Sequence, residues 1–331
     1  HKYLMEMLEC PACHGKLKWT IYEGDGKRIE NGEAVCMNCG AEYPVKNGIG
    51  IFLTSKFSAN DLWKQGSTKL TQFFNEHPEI EKELMEAPAE NMSAADTLFR
   101  AMLLEERGQV DIAGHLYCLA AKNAYTEDYV TCWNRQYEYV CNMLKGEDGP
   151  IVDLASGRCH LVDKLLQSGR NYIVATDFSP SVLRRDKESL KHRGLYDRVT
   201  LLAFDARLTP FKDGAVKILT TNLGLPNIEN AGELLKELRR IISGEFLAVT
   251  HFYPESDGIN RKAIEDAGLE IFLYEGSAMG CFAGAGFDAE LLNQCTGLAQ
   301  PTPVGKIVEG ATIDTLPVSP VTLKWGTIKA V

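Results

Sequence analysis

Regular alternation of strand and helix signals after Pro150 predicts an α/β domain, a mostly parallel sheet with helices on both faces. Two further observations complete the architecture. The first 53 residues alternate in polarity and carry two Cys-x-x-Cys pairs, as a small β-rich metal module does. From there to residue 145 the apolar residues recur at helical spacing. The sequence therefore divides into a β-rich module at 1–53, a helical linker or lid at 54–145 and the α/β domain at 146–331.

With 331 residues the chain is long enough for about two domains, and its 45% apolar and 24% charged content excludes collagen-like, disordered and coiled-coil classes. No stretch reaches the roughly 18–20 apolar residues of a membrane helix, and no leader pattern opens the sequence. The expectation is a soluble, cytoplasmic protein without a membrane partner. The net charge of -10 argues against a broad phosphate-binding surface, so nucleic acid is the less favoured substrate. Residues 61–145 hold 14 acidic against 8 basic residues, which places the acidic excess in the lid.

In the β-rich module, Leu17–Tyr22 reads as a strand, residues 23–26 as a turn and Ala34-Val35 as the return. Ser93 and Asp96 form a capping pair for a helix carrying Ala94, Leu98, Ala101 and Met102. Further helices cover 110–124 and 127–144. Strands follow at 151–154, 172–176, 199–203, 216–221 and 246–250, with helices running to Gln167, opening at Ser179-Pro180 and covering 230–242. In the tail, Lys306–Val308 and Val321–Ile328 are candidates for a closing antiparallel pair, and the glycine-rich 280–286 reads as loop.

Cys10-Pro11-Ala12-Cys13 and Cys36-Met37-Asn38-Cys39 offer four soft thiolates, with Gly15 and Gly40 easing the turn after each pair. Zinc suits such a tetrahedron best, with iron the runner-up. A site of four thiolates has no open position, so its role is structural. Together with Gly40-Ala41-Glu42-Tyr43-Pro44-Val45 and Gly48-Ile49, these residues resemble the zinc-ribbon family whose stand-alone members activate tRNA, rRNA and release-factor methyltransferases. In that family the ribbon docks on a methyltransferase through apolar surface, so here the resemblance implies a permanent partnership within one chain.

Ile151–His160 reads as a buried strand, a small-residue turn and a helix start, where backbone amides can approach a ligand. Asp177 closes the next strand, twenty residues past Gly157, where a carboxylate can accept both hydroxyls of a ribose. A third acid, Asp205, follows the third strand. This trio resembles class I S-adenosylmethionine-dependent methyltransferases, which implies a Rossmann-like seven-stranded sheet with that cofactor. By that resemblance Asp153, Ala155 and Gly157 line the methionine end and Asp177 binds the ribose. Asp205 with the Ala206 amide reads the adenine, Thr176 and Phe178 flank the ribose and adenine, and Asn222 follows the fourth strand. The chain has Ala155 and Cys159 where the family's loop carries two of its three glycines. A dehydrogenase would need glycine where His160 stands.

Ligands of open α/β sheets sit beyond the carboxyl ends of the strands, which selects Asn222, His251 and Tyr253 as candidate catalytic residues. His251 can take a proton near neutral pH. Trp133, Asn134 and Tyr137 are candidates for cofactor contact or a pocket lid. The leading reading is methyl transfer from S-adenosylmethionine to a small-molecule acceptor, with structural zinc. An RNA or translation-factor methyltransferase and a noncatalytic scaffold are the alternatives. A homo-oligomer is left open, as is whether His1 belongs to the native chain.

Overall fold

The computed structural model describes residues 1–56 and 61–331. Strands β1 (Leu17–Gly24), β2 (Ile29–Cys36), β3 (Glu42–Lys46) and β4 (Ile49–Ile51) form the amino-terminal module. Five helices follow: α1 (Leu62–Glu76), α2 (Pro78–Glu86), α3 (Ala94–Glu106), α4 (Val110–Ala124) and α5 (Glu127–Met143). The α/β part contains β5 (Ile151–Leu154), α6 (His160–Gln167), β6 (Ile173–Asp177), α7 (Pro180–His192), β7 (Val199–Ala203) and β8 (Val216–Asn222). It continues through α8 (Ala231–Ile241), β9 (Ile242–Phe252), α9 (Gly258–Ala267), α10 (Glu270–Leu273) and α11 (Glu275–Gly284) to β10 (Ala289–Ala299) and β11 (Val321–Ala330).

Seven strands of the α/β part run in the order β7-β6-β5-β8-β9-β11-β10. β5, β6 and β7 are buried along their whole length, as Val- and Ile-rich parallel strands covered on both faces must be. β11 enters antiparallel between β9 and β10, with Trp325 opposite His251. The sheet does not stop at β7. β4 pairs with it in parallel, Ile49 opposite Leu201, so the module's strands extend one continuous sheet to eleven among the described residues. That pairing covers the open N–H and C=O row that an edge strand would present.

Side chains reinforce the joint. Phe52 stacks on Tyr43 with ring centroids 5.3 Å apart, and Trp19 meets Phe52 edge-on. Buried Arg28 donates to the carbonyls of Tyr196 and Val199 at 2.7 and 3.0 Å and lies 3.8 Å from the Tyr196 ring centre. Lys187 donates to the Asn47 carbonyl at 2.5 Å and pairs with Glu30.

The helices α1–α4 hold apolar clusters of their own, around Phe74, Leu84 and Leu103 and around Ala101, Leu104 and Leu116, separate from the cores flanking the sheet. At the start of α3 the Ser93–Asp96 capping box forms as the sequence predicts. Asp96 does more: its carboxylate accepts the amides of Lys306, Ile307 and Val308 at 2.9, 3.2 and 3.0 Å. Lys306–Val308 is therefore a turn wrapped on a carboxylate, not the expected strand. β11 takes its antiparallel partner from β10 instead, whose pattern is broken by an irregularity between Leu292 and Cys295, with Asn293 left-handed. The expected loop at 280–286 is also corrected. Most of it lies in α11, because Phe282 is buried against Phe246 and Phe287 and that contact outweighs the glycines.

Arg28→Ala takes a charged donor from the buried carbonyls of Tyr196 and Val199, the first of which keeps the Val199 amide, and removes the cover from Tyr196. Denaturant unfolding is expected to show a loss of about 2–4 kcal/mol, and a change under about 0.5 kcal/mol would show that the joint does not depend on this side chain.

Candidate active site and metal centre

The four thiols Cys10, Cys13, Cys36 and Cys39 gather with all sulfur atoms within 4.8 Å of one another. The Cys10–Cys39 and Cys13–Cys36 pairs are 3.6 and 3.5 Å apart. A zinc tetrahedron with Zn–S of about 2.3 Å has edges of about 3.8 Å, so the cage fits the ion. Outer contacts are present too. The amides of Asn38 and Cys39 point at Cys36 Sγ at 3.4 and 3.5 Å, and Tyr43 Oη lies 3.2 Å from Cys10 Sγ. Gly15 is required by space, since a Cβ there would lie 2.8 Å from Cys36 Sγ. The donor set supports a structural zinc and leaves no position for substrate.

On the opposite side of β7, strands β5 and β6 end side by side. Asp153 is buried in β5 and accepts from Thr220 Oγ1 at 2.6 Å, while burial pushes its carboxyl up to about 6. The turn that follows is left-handed at Ala155, Gly157 and Cys159, with φ of 49°, 52° and 59°. Ala155 and Cys159 thus keep the backbone shape of the glycines they replace, at a cost of about 1–2 kcal/mol each. Ser156 secures the turn by donating its amide to the Thr176 carbonyl at 2.7 Å and its hydroxyl to the Asp153 carbonyl at 2.9 Å. Asp177 closes β6 and accepts the amides of Gly157 and Ser179 at 3.1 and 2.9 Å. Burial pushes this carboxyl up to about 6, against the pull of those amides. Half-buried Phe178 follows it.

Beyond β7, Asp205 is committed inside the chain. Arg207 grips it with its amide at 2.9 Å, Nε at 2.9 Å and Nη2 at 2.7 Å, and Ala206 is buried beside it. The adenine-reading role implied by resemblance would require Arg207 to release oxygens it now holds. Arg158, inside the turn itself, pairs with Glu105 of α3 at 3.2 Å and lies 3.6 Å from the Tyr117 ring centre in α4. Glu105 also accepts from Tyr117 Oη and pairs with Arg185. The cap thus meets the turn largely through polar groups, a contact absent from the sequence reading because it joins residues far apart in the chain.

The third group lies past β8 and β9. Asn222 accepts from Trp133 Nε1 at 2.8 Å, so α5 is tied to the sheet edge. Gly224 allows the close approach of this loop to the β5 turn, because a Cβ there would stand 2.9 Å from Ala155 Cβ. His251 and Tyr253 line a small pocket together with Tyr125, Tyr129, Gln300 and Asp314. Burial pushes the His251 imidazole down to about 4, and its Nδ1 is buried without a partner. An aromatic row leads from this pocket towards the β5 turn: Tyr129 touches Trp325 and Trp133, and Trp133 touches Tyr137 and His160. Tyr125, Tyr129, Trp133 and Tyr137 recur every four residues, which was the available signal for the two tyrosines the sequence reading missed. Trp325 and Asp314 carried no such signal. Asn134 is not among the residues lining the pocket.

Residues 128–252 match the ubiE/COQ5 methyltransferase family, and residues 1–48 match Trm112p-like protein. The chain is 26% identical over 173 residues to a ubiquinone/menaquinone biosynthesis C-methyltransferase UbiE of Pectobacterium carotovorum, covering 50% of this chain and 67% of that protein. It is 26% identical over 162 residues to the UbiE of Shewanella oneidensis, covering 46% and 64%. It thus spans about two thirds of the length of these curated relatives. The solved structure of the YcgJ protein from Bacillus subtilis aligns at 14% identity with a TM-score of 0.46, over 60% of this chain and 97% of that one. The family match over residues 128–252, on the sheet order described above, gives the class, an S-adenosylmethionine-dependent methyltransferase of Rossmann-like architecture. Its methyltransferase region is ubiE/COQ5-like, and its amino-terminal module is a Trm112p-like ribbon whose four cysteines suit structural zinc.

Two outcomes follow from this geometry. Gly15→Ala forces a methyl group against the cage, so competition with a chromophoric chelator is expected to show zinc held at least tenfold more weakly; unchanged affinity would mean that the turn relaxes freely. For Asp177, hydroxyl donors favour the ionised carboxylate, whereas burial favours the protonated one. S-adenosylmethionine affinity is therefore expected to rise as pH rises through about 6, with protons released on binding in that window, measurable by calorimetry in buffers of different ionisation enthalpy. A flat profile between pH 5 and 7.5 would remove Asp177 from the ribose-binding role.

Proposed function

We propose that this methyltransferase acts on a small-molecule acceptor held in the pocket between α5, the end of β9 and the tail, with its methyl donor beside the β5 turn. One observation carries the reading: the aromatic row from Tyr129 through Trp133 to His160 joins that pocket to the turn. The relatives' names, C-methyltransferases of quinone biosynthesis, also describe proteins acting on small molecules. The acidic balance of -10 speaks against a polyanionic acceptor. Ten cysteines without a disulfide among the described residues fit a reducing, cytoplasmic compartment.

Asp177 would take the ribose hydroxyls, and Ala155, Gly157 and Asp153 would line the methionine end, with Phe178 against the base. Asn222, held by Trp133, would border the reacting end. Bound there, S-adenosylmethionine supplies a methyl group already activated on a sulfonium. The chain's remaining tasks are alignment and exclusion of water. Tyr129, Trp133 and Trp325 make a dry wall, and His251, which burial pushes down to about 4, would border it as an uncharged hydrogen-bonding group instead of the near-neutral base expected from the sequence. The Arg158–Glu105 contact would hold the cap over the occupied turn.

The direct check is calorimetric titration of S-adenosylmethionine into the zinc-loaded chain, beside Asp177→Ala. Micromolar binding weakened at least tenfold by the substitution, about 1.4 kcal/mol, is the expected outcome. Absence of binding heat at several temperatures, in protein shown to be folded, would refute the reading.

A further inference from the structure

We propose that the pocket selects a cationic amine as methyl acceptor, its ammonium group held by Asp314 against the aromatic wall; this rests on the small-molecule reading above. The pocket's polar inventory is one-sided. No Lys or Arg lines it. Asp314 supplies its single carboxylate, and among the described residues no cation is paired with it. Its Oδ2 accepts from Tyr125 Oη at 2.7 Å, and its backbone amide is held by Thr302 Oγ1 at 3.3 Å, so the carboxylate is fixed at the pocket.

The walls have the matching character. Tyr125 and Tyr129 stack with centroids 4.8 Å apart, and Tyr253 adds a further ring. Aromatic faces attract cations most strongly when water is excluded, and a carboxylate beside them sets the sign of the guest. An acidic acceptor would meet Asp314 with no cation in the pocket's lining to offset the repulsion. A neutral alcohol could donate to Asp314 but would forgo the cation–π and charge terms.

His251 adds no positive charge to oppose the guest. Burial keeps its imidazole neutral at pH 7, its Nδ1 has no partner, and the pocket that His251 lines is otherwise furnished with hydroxyls, an amide and one carboxylate. A neutral imidazole can accept an N–H of the guest, while the proton that an ammonium must lose before its nitrogen becomes nucleophilic can pass to the Asp314 carboxylate, which burial pushes above its ordinary range against the pull of the Tyr125 hydroxyl.

The test uses benzylamine, cationic at pH 7, and its neutral isostere benzyl alcohol, each titrated by calorimetry into the full zinc-loaded chain at low salt. Benzylamine is expected to bind at least tenfold more tightly than benzyl alcohol. Asp314→Asn is expected to remove that preference, and Asp314→Glu to retain it within about threefold, which separates charge from folding. Equal binding of the two probes, or a preference untouched by Asp314→Asn, overturns the proposal. S-adenosylmethionine is titrated into the same preparation. If it binds and benzylamine does not, only the amine inference falls; if benzylamine binds and it does not, the methyltransferase reading falls and the amine site stands as a binding pocket without an acceptor role.

Discussion

The left-handed turn after β5 is the constraint on which the rest of the site depends. Three positions within five residues, Ala155, Gly157 and Cys159, adopt positive φ, and two of them lack the residue that does so freely. That conformation is maintained by the surroundings. Ser156 is bonded to the carbonyls of Asp153 and Thr176, the Gly157 amide is fixed by Asp177, and Gly224 leaves just enough room for Ala155. Removing freedom here aligns the ends of β5, β6 and β8 and aims Arg158 outward, so strain at the turn is the local cost of a preorganised edge.

The outward direction of Arg158 links this edge to the helical cap. Within the cap, apolar clusters give α1–α4 cohesion of their own, and Asp96 ties them to the 306–308 turn. Towards the β5 turn the contact is polar, Arg158 and Arg185 sharing Glu105 with Tyr117 standing by. Packed apolar cores move as units, and a carboxylate shared between two largely buried guanidinium groups is costly to break without replacement partners, so this contact fastens the cap to the turn.

The ribbon solves a different problem. A module of some fifty residues buries too little apolar surface to stand alone without a staple. Here it has two: the four-cysteine cage at one end and the β4–β7 pairing at the other. The same pairing relieves the α/β sheet of an open edge, so each part supplies what the other lacks.

Much of this was legible in the sequence because it is local. Short, mostly apolar runs such as 199–203 specify buried parallel strands, Ser93 and Asp96 specify a helix start, and two Cys-x-x-Cys pairs specify a tetrahedral cage. The acids at the ends of β5, β6 and β7 were likewise readable, since strand ends and carboxylates are both visible in one dimension. What escaped was decided by distant partners. Lys306–Val308 looked like a strand until Asp96, more than two hundred residues earlier, captured its amides. The glycines of α11 looked like loop until Phe282 found Phe246. Arg207 turned Asp205 inward, and Asp314 met the tyrosines of α5 only through the folded tail. The sequence by itself determined the elements, the metal cage and the class of the sheet, because propensity, periodicity and short ligand spacing act between near neighbours. Tertiary structure alone decided which carboxylates remain available and what lines the pocket, because charge pairing and burial depend on residues that only folding brings together.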